Sequence, residues 1–408
     1  MEKKSFTVYG YRWAVLVAFA LVVAVTQILW ITFASITHDA GQFYGVSDLS
    51  ISLLSMSFMI VFIILSIPAS WVIDTYGIRV GVGIGAALTA LFGLMRGLGP
   101  VSSSFTLVLI AQIGIAIGQP FVLNAQTKVV ARWFPVSDRA TIVGFTSLAL
   151  FVGIIIGMAV TPFLAALPSG IPGMLLIYGI IALIAGILFF ALVRERPPTP
   201  PCPPEQEARS LVFVGLRQML TKADFLVTMV IFFVGLGLFN AVSTWIEDIV
   251  KPRGLDATQA GIIGGLMVFG GILGAVILPM LSDHFRRRVP FIIVALAGGT
   301  LGLAGLTFFG TYPLLIVSAL VLGLFLLSAA PIGFQYGAEI TLPAPEGTSY
   351  GMLMLMGQIS GIIFIFGMDS FRTPTGAMTP SLIALIVLMA ACILLSTRLH
   401  EPKSLTQA

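Results

Sequence analysis

Long apolar segments dominate the chain, and each is about 20 residues long. A helix of that length crosses the ~30 Å hydrocarbon core of a bilayer, because it rises about 1.5 Å per residue. The segments lie at 13–37, 50–73, 79–98, 104–131, 140–167, 173–193, 224–248, 258–281, 289–309, 312–337, 348–369 and 378–398. They predict an all-α membrane protein with twelve transmembrane helices.

The composition excludes other classes of protein. Only 9% of the residues are charged, against roughly 25% in soluble domains. A transmembrane β-barrel needs short alternating strands, whereas these apolar runs are continuous. Cys202 and Cys392 are the only cysteines, too few for a disulfide framework or a Cys-rich metal site. No Ser/His/Asp set or phosphate loop converges at one depth. We therefore expect no enzyme, no cofactor and no metal.

A polar, proline-rich stretch from Arg194 to Lys222 divides the apolar segments into two blocks of six. Clustered prolines favour an extended linker over a packed element. The predicted domains are therefore an N-terminal six-helix bundle at 1–193, a linker at 194–222 and a C-terminal six-helix bundle at 223–408.

The basic residues predict the orientation of the chain. Most of the 21 lysines and arginines lie in the termini, the linker and the connections on the same side. By the positive-inside rule, both termini are cytoplasmic in the cell (inner) membrane. No basic stripe with interleaved aromatic residues is present, so the bilayer and a small-molecule substrate are the expected partners, and nucleic acid is not. We expect a monomer.

The two blocks repeat a short motif. SWVIDTYGIRV, at Ser70 to Val80, follows the second segment, and PMLSDHFRRRVP, at Pro279 to Pro290, follows the eighth. Each places an acid at a helix end with an arginine within five residues: Asp74 with Arg79, and Asp283 with Arg287. The turn resembles the loop signature of the major facilitator superfamily. The resemblance implies gating residues, although a simple tight turn is the alternative.

Further candidate gating residues lie in connections on the same predicted side. Glu339 and Glu346 flank the link between the tenth and eleventh segments, and Arg139 lies in the corresponding link of the first block. The two acids are predicted to pair with Lys128, Arg132 or Arg139 in an inner gate, which a charge swap between Glu346 and Arg139 would test. The alternative is that these acids merely cap helix N-termini.

Polar residues within the apolar segments are the candidate substrate ligands, since lipid-facing positions disfavour them. Gln112, Gln119 and Gln126 recur every seven residues along the fourth segment. The candidates for a neutral, aromatic and amide lining are Trp30, Gln119, Asn240, Trp245 and Gln358. The alternative is that the amides only join neighbouring helices by hydrogen bonds.

One stretch, PIGFQYGAEITLPAPEGTSYGMLMLMGQ at Pro331 to Gln358, resembles the family of the feline leukaemia virus subgroup C receptor. The matching positions are Gly333, Phe334, Glu339, Ile340, Thr341, Pro343, Glu346, Gly347, Thr348, Ser349 and Gln358. The resemblance implies a carrier for choline or ethanolamine, with haem also proposed in that family.

The resemblance also implies roles for single residues. Trp30 would offer its ring to an ammonium group, and Gln119 and Gln358 would line the same pocket. Asn240 stands where the family has a tyrosine, so Trp245 is predicted to supply the missing aromatic contact.

Together these observations predict a twelve-helix major facilitator carrier, with two pseudo-symmetric bundles and alternating access. The predicted cargo is a small organic cation. The alternatives are a proton-coupled carrier of organic anions, haem or drugs, and a membrane receptor that binds a ligand without moving it.

Overall fold

The structure is a computed structural model that describes residues 8–135, 139–199, 219–341 and 346–402. These residues are helical or connecting, and none of them forms a strand. Twelve long helices make up most of the fold: α1 Arg12–Ile31, α2 Asp48–Tyr76, α3 Ile78–Met95, α4 Phe105–Leu123, α5 Arg139–Ala159, α6 Gly170–Leu192, α7 Ala223–Thr244, α8 Ala257–His284, α9 Val289–Phe308, α10 Tyr312–Thr341, α11 Glu346–Ser370 and α12 Thr379–Ser396.

The twelve helices coincide with the twelve predicted segments. Eleven of them are long and apolar enough to cross a membrane. In α5, the stretch with described side chains is apolar but shorter, Phe145–Ala159. The prediction of an all-α, multi-pass membrane protein is confirmed.

The helices form two compact units. One contains α1 to α6, and the other contains α7 to α12 together with Ala34–His38. Most of the predicted linker, 200–218, lies outside the described residues. The domain boundaries at 193 and 222 therefore stay a prediction.

Small residues bring helices together within each unit. In the first unit, α5 meets α1 at Gly153 and Gly157, where an added Cβ would overlap the backbone of Ala24 or crowd Ile28 and Ile31. In the second unit, α7 meets α11 at Gly357, where an added Cβ would crowd Leu236. Close approach of this kind is the usual way in which helices pack in lipid.

Four predicted segments are broken rather than continuous, among them the fifth, where α5 ends at Ala159 and a short helix, Thr161–Ala165, follows. The first ends as α1 at Ile31 and resumes as a short helix, Thr37–Tyr44. The fourth ends as α4 at Leu123, shortly after Pro120, and continues as the helix Gln126–Trp133. The seventh divides at Trp245, after which a short helix, Ile246–Val250, begins. These breaks lie beside several of the candidate substrate residues.

Candidate functional site

Trp30 lies at the end of α1, in the first unit, and only 7% of its surface is exposed. Its indole Nε1 donates a hydrogen bond to the carbonyl of Ser55 on α2, over 3.2 Å. The Ser55 hydroxyl donates in return to the carbonyl of Trp30, also over 3.2 Å. Since the indole N–H is already bonded, Trp30 can offer a ligand only its ring.

The carbonyls beside Trp30 are capped by side chains. The Thr32 hydroxyl donates to the carbonyl of Ile28 over 2.6 Å. The carbonyl of Leu29 accepts from Gln112 Nε2 at 2.9 Å and from Arg96 Nη1 at 3.4 Å. These donors satisfy acceptors that the helix end leaves without an intrahelical partner.

Arg96, the residue that follows α3, is fully buried. It donates to the side-chain oxygen of Gln112 at 2.5 Å and to the Thr32 hydroxyl at 3.1 Å. Its guanidinium also lies 5.8 Å from the centre of the Phe33 ring. Sequence reasoning missed this role, because a single arginine at the end of an apolar segment looks like an ordinary loop charge.

The predicted glutamine stripe on the fourth segment divides into three separate roles. Gln112 is bonded to Arg96, and Gln126 donates to α5 at the carbonyl of Val143 over 3.1 Å. Gln119 is buried, with 7% of its surface exposed, and its amide forms no hydrogen bond with another described residue. Of the three glutamines, Gln119 therefore keeps the most hydrogen-bonding capacity for a ligand.

Two further candidate ligands lie in the second unit. Asn240 Nδ2 donates to the carbonyl of Gly357 over 3.1 Å, which joins α7 to α11. Gln358, the next residue on α11, is half-buried and forms no side-chain hydrogen bond within the described residues. The structure thus uses the Asn240 amide partly between helices and leaves the Gln358 amide unused.

Trp245 has a different environment from Trp30. It is fully buried, and its Nε1 donates to the carbonyl of Ile365 over 3.1 Å. The guanidinium of Arg372 covers its ring, 4.5 Å from the ring centre. Arg372 also pairs with Asp248 at 2.9 Å and with Asp369 at 2.8 Å. The aromatic face that the sequence assigned to a substrate is therefore covered by a cation of the protein itself.

The motif at the end of α8 pairs Asp283 with Arg288 rather than with the predicted Arg287. Arg288 binds the Glu339 carboxylate with two donors, at 3.0 and 3.3 Å, and also pairs with Asp283. The chain reverses after α8 with Arg286 at a φ of 52°, and this turn directs Arg288 inward. Arg287 is left exposed. Burial opposes the charge of Arg288, but its hydrogen bonds to Glu339 and Asp283 raise its pKa above the ordinary value.

A glutamate caps the third helix of each unit. Glu195, just after α6, accepts from the backbone N–H of Arg79 at 2.7 Å and also pairs with Arg132. Glu401, just after α12, accepts from the backbone N–H groups of Arg288 at 3.0 Å and Val289 at 3.1 Å. Negative charge at a helix N-terminus is stabilising.

Sequence reasoning missed both caps, although each glutamate follows the last helix of its unit at a similar distance.

The predicted gate is only partly described. The Arg79 side chain is exposed, and Glu339 pairs inside its own unit. The side chains of Asp74, Arg139 and Glu346 lie outside the described part of the chain. The predicted pair between Glu346 and Arg139 therefore stays a prediction.

Comparisons with known proteins agree with this architecture. The Major Facilitator Superfamily profile matches residues 14–365. A solved bacterial homolog of the human lysosomal transporter Spinster has a TM-score of 0.76 at 16% identity and covers 96% of this chain and 98% of its own. A D-xylose-proton symporter has a TM-score of 0.75 at 18% identity, with 97% and 99% covered. At such identities these structures show the fold, and the predicted major facilitator fold is confirmed.

Relatives found by sequence share a higher identity with this chain than those solved structures do. Solute carrier family 49 member A3 of Xenopus tropicalis is 30% identical over 396 residues, which cover 93% of this chain and 82% of the relative. The choline/ethanolamine transporter FLVCR2 of Homo sapiens is 28% identical over 389 residues, which cover 90% and 73%. The resemblance to the feline leukaemia virus receptor family is thus confirmed. The chain belongs to the Major Facilitator Superfamily, as a membrane transporter with relatives in solute carrier family 49 and among the choline/ethanolamine transporters.

Proposed function

We propose that this protein carries a small organic cation, such as choline or ethanolamine, across the cell membrane by alternating access. Both termini are cytoplasmic in this proposal, the protein acts as a monomer, and it transports its cargo without chemical change. The family relationship supports transport. The proposed cargo is argued from the candidate substrate residues, Trp30 first.

The observation that carries the proposal is the hydrogen bonding of Trp30. Its N–H is bonded to Ser55, so the π face is the part left for recognition. An ammonium group over a Trp ring gains up to about 2 kcal/mol when both are desolvated. The carbonyls of Ile28, Leu29 and Trp30 are already bonded within the protein, so the ring face is the group that Trp30 offers to a cation.

Amides complete the proposed site. Gln119 in the first unit and Gln358 in the second each keep a side-chain amide without a hydrogen bond to a described residue. We assign the Gln119 amide, which lies in the same unit as Trp30, to the polar end of the cargo, such as the hydroxyl that choline and ethanolamine share. The Gln358 amide is available to a ligand within the second unit.

A thermal-shift titration of the detergent-purified protein tests the cargo. A ligand at 100 times its dissociation constant stabilises the folded state by about 2.7 kcal/mol. We expect choline or ethanolamine to raise the melting temperature of the wild type, and Trp30→Ala to abolish the shift. Trp13→Ala is the matched control, because Trp13 lies on the same helix and is exposed. An amine response that survives Trp30→Ala would contradict the proposal.

A carrier of organic anions, haem or drugs is the second candidate. Its supporting observation is Arg96, a fully buried cation. Arg96 donates hydrogen bonds to Leu29 and Thr32, which lie on either side of Trp30 in the sequence. The same titration separates the candidates. Stabilisation by organic anions or haem, with no effect of amines, would favour the second, and uptake by proteoliposomes would follow with that ligand.

A further inference from the structure

The end of α1 is held by polar side chains from three other helical regions. The carbonyls of Leu29 and Trp30, in its last turn, accept from Arg96, Gln112 and Ser55. The last four carbonyls of a helix have no intrahelical partner, and a buried unpaired polar group costs about 1–3 kcal/mol. These three donors therefore allow α1 to end inside the first unit.

Arg96 is an unusual choice for this task. Its described hydrogen-bond partners are all neutral: the Gln112 amide, the Thr32 hydroxyl and the Leu29 carbonyl. Removing a cation from water without a carboxylate partner is unfavourable by several kcal/mol. A purely space-filling role would be met better by Leu or Met. The useful property of Arg96 is thus its rigid set of donors, which reaches both sides of the break in α1.

We propose that Arg96, oriented by Gln112, is a positioning residue for Trp30. It binds Leu29, the residue before Trp30, and Thr32, the first residue beyond the helix. In this way it fixes the backbone that carries the indole, while Ser55 fixes the ring edge. The inference deepens the proposed function, since the ring that Arg96 positions is the one assigned to the ammonium group.

The arrangement explains why two residues share the task. Gln112 Nε2 donates to Leu29 while Gln112 Oε1 accepts from Arg96, so the amide and the guanidinium close a ring of hydrogen bonds around one carbonyl. Loss of Arg96 leaves Gln112 Oε1 without its donor in a buried place, and loss of Gln112 leaves the Leu29 carbonyl with only the longer bond from Arg96, at 3.4 Å. The end of α1 should then loosen, and Trp30 with it.

Binding affinity is the first test. In proteoliposomes or detergent, we expect Arg96→Gln to weaken choline binding roughly tenfold, since small misplacements of a binding group have large effects. Arg96→Lys keeps the charge and part of the donor set, and should recover part of the loss. In a Trp30→Phe background, Arg96→Gln should have a smaller effect, because Arg96 acts through the indole.

The matched control is Asn124→Leu. Asn124 follows α4 in the same unit and donates to Ser66 and Ser70 on α2, away from the break in α1. Its loss should lower the melting temperature and leave the dissociation constant of choline unchanged. If Arg96→Gln behaves in the same way, Arg96 is only a structural residue and the inference is wrong.

Hydrogen exchange of the protein without ligand is the second test, and it does not depend on the cargo. Amides in residues 28–37 should exchange faster in Arg96→Gln than in the wild type, with no change there in Asn124→Leu. If no amine binds the wild type, the proposed function fails, and hydrogen exchange alone then decides whether Arg96 holds this segment. Unchanged exchange would overturn the inference.

Discussion

Trp30 and Ser55 each donate a side-chain hydrogen bond to the other's backbone carbonyl, over 3.2 Å in both directions. The exchange joins the end of α1 to the first half of α2. It uses the N–H edge of the indole and leaves the face of the ring for contact with a ligand. A residue with a bonded edge and a usable face is well suited to recognise a cation by its ring alone.

Two substitutions separate the backbone contact of Trp30 from the contribution of its ring. Ser55→Ala removes one of the two bonds, so we expect a loss of about 1 kcal/mol in unfolding free energy and little change in amine affinity. Trp30→Phe removes the indole bond and weakens the cation–π contact. It should lower the affinity about fivefold, the equivalent of about 1 kcal/mol. Titration calorimetry measures both. An amine affinity that Trp30→Phe leaves unchanged would contradict recognition through the ring.

Most of the fold could be predicted from the sequence, because the length of an apolar segment is set by the bilayer. The ends of α8 and α9, at Ala257–His284 and Val289–Phe308, differ by only a few residues from the predicted segments. The breaks after Ile31 and Leu123 could not be predicted in this way. The first depends on donors such as Arg96, which lies far away in the sequence, and the second follows Pro120, which does not by itself fix where a helix ends.

The site was only partly predictable for the same reason. Trp30 and Gln119 could be found because a polar residue within an apolar segment is unusual. The choice of Arg288 over Arg287 depends instead on the direction of a turn, which the three consecutive arginines do not reveal. The role of Trp245 depends on Arg372, a partner on another element more than a hundred residues away.

Arg287 and Arg288 give a direct test of the ion pairs at the start of α9. Arg288→Gln leaves Glu339, which is 13% exposed, without its bidentate partner. We expect a loss of about 3 kcal/mol in unfolding free energy, as is usual when one member of a buried pair is removed. Arg287→Gln, the matched control, should change it by less than about 0.5 kcal/mol, since Arg287 is exposed.

A double substitution completes that test. Replacing both Arg288 and Glu339 by Met should recover most of the loss, because an apolar pair of similar volume is often neutral. Chemical denaturation in detergent measures all four proteins. Equal losses for Arg287→Gln and Arg288→Gln would contradict the observed pairing.

Gly77 is required by both its backbone and its neighbour. Its φ is 92°, and an added Cβ would overlap the Glu195 carboxylate that caps α3. We expect Gly77→Ala to cost about 3 kcal/mol, the sum of backbone strain and a lost cap. Gly45→Ala is the control, because Gly45 also has a positive φ but nothing lies within 4 Å of its added Cβ. It should cost about 1 kcal/mol.

The contribution of Glu195 can be measured separately. In a Glu195→Ala background, the additional cost of Gly77→Ala should fall to that of Gly45→Ala, since no carboxylate is left to displace. The test needs the melting temperatures of six proteins: the wild type, Gly77→Ala and Gly45→Ala, each with and without Glu195→Ala. If the two glycines differ as much without Glu195 as with it, the difference comes from the backbone of Gly77 alone.

Trp245 provides the sharpest contrast with Trp30, because both were assigned to the substrate. The Trp245 ring is covered by Arg372, and its N–H is bonded to Ile365. We expect Trp245→Phe to lower the unfolding free energy by about 1 kcal/mol through the lost hydrogen bond, and to leave amine affinity within about twofold. Trp30→Phe is the matched comparison, measured under the same conditions. Equal losses of affinity for the two substitutions would mean that Arg372 leaves the Trp245 ring when the cargo binds. The aromatic contact predicted from the sequence would then be restored.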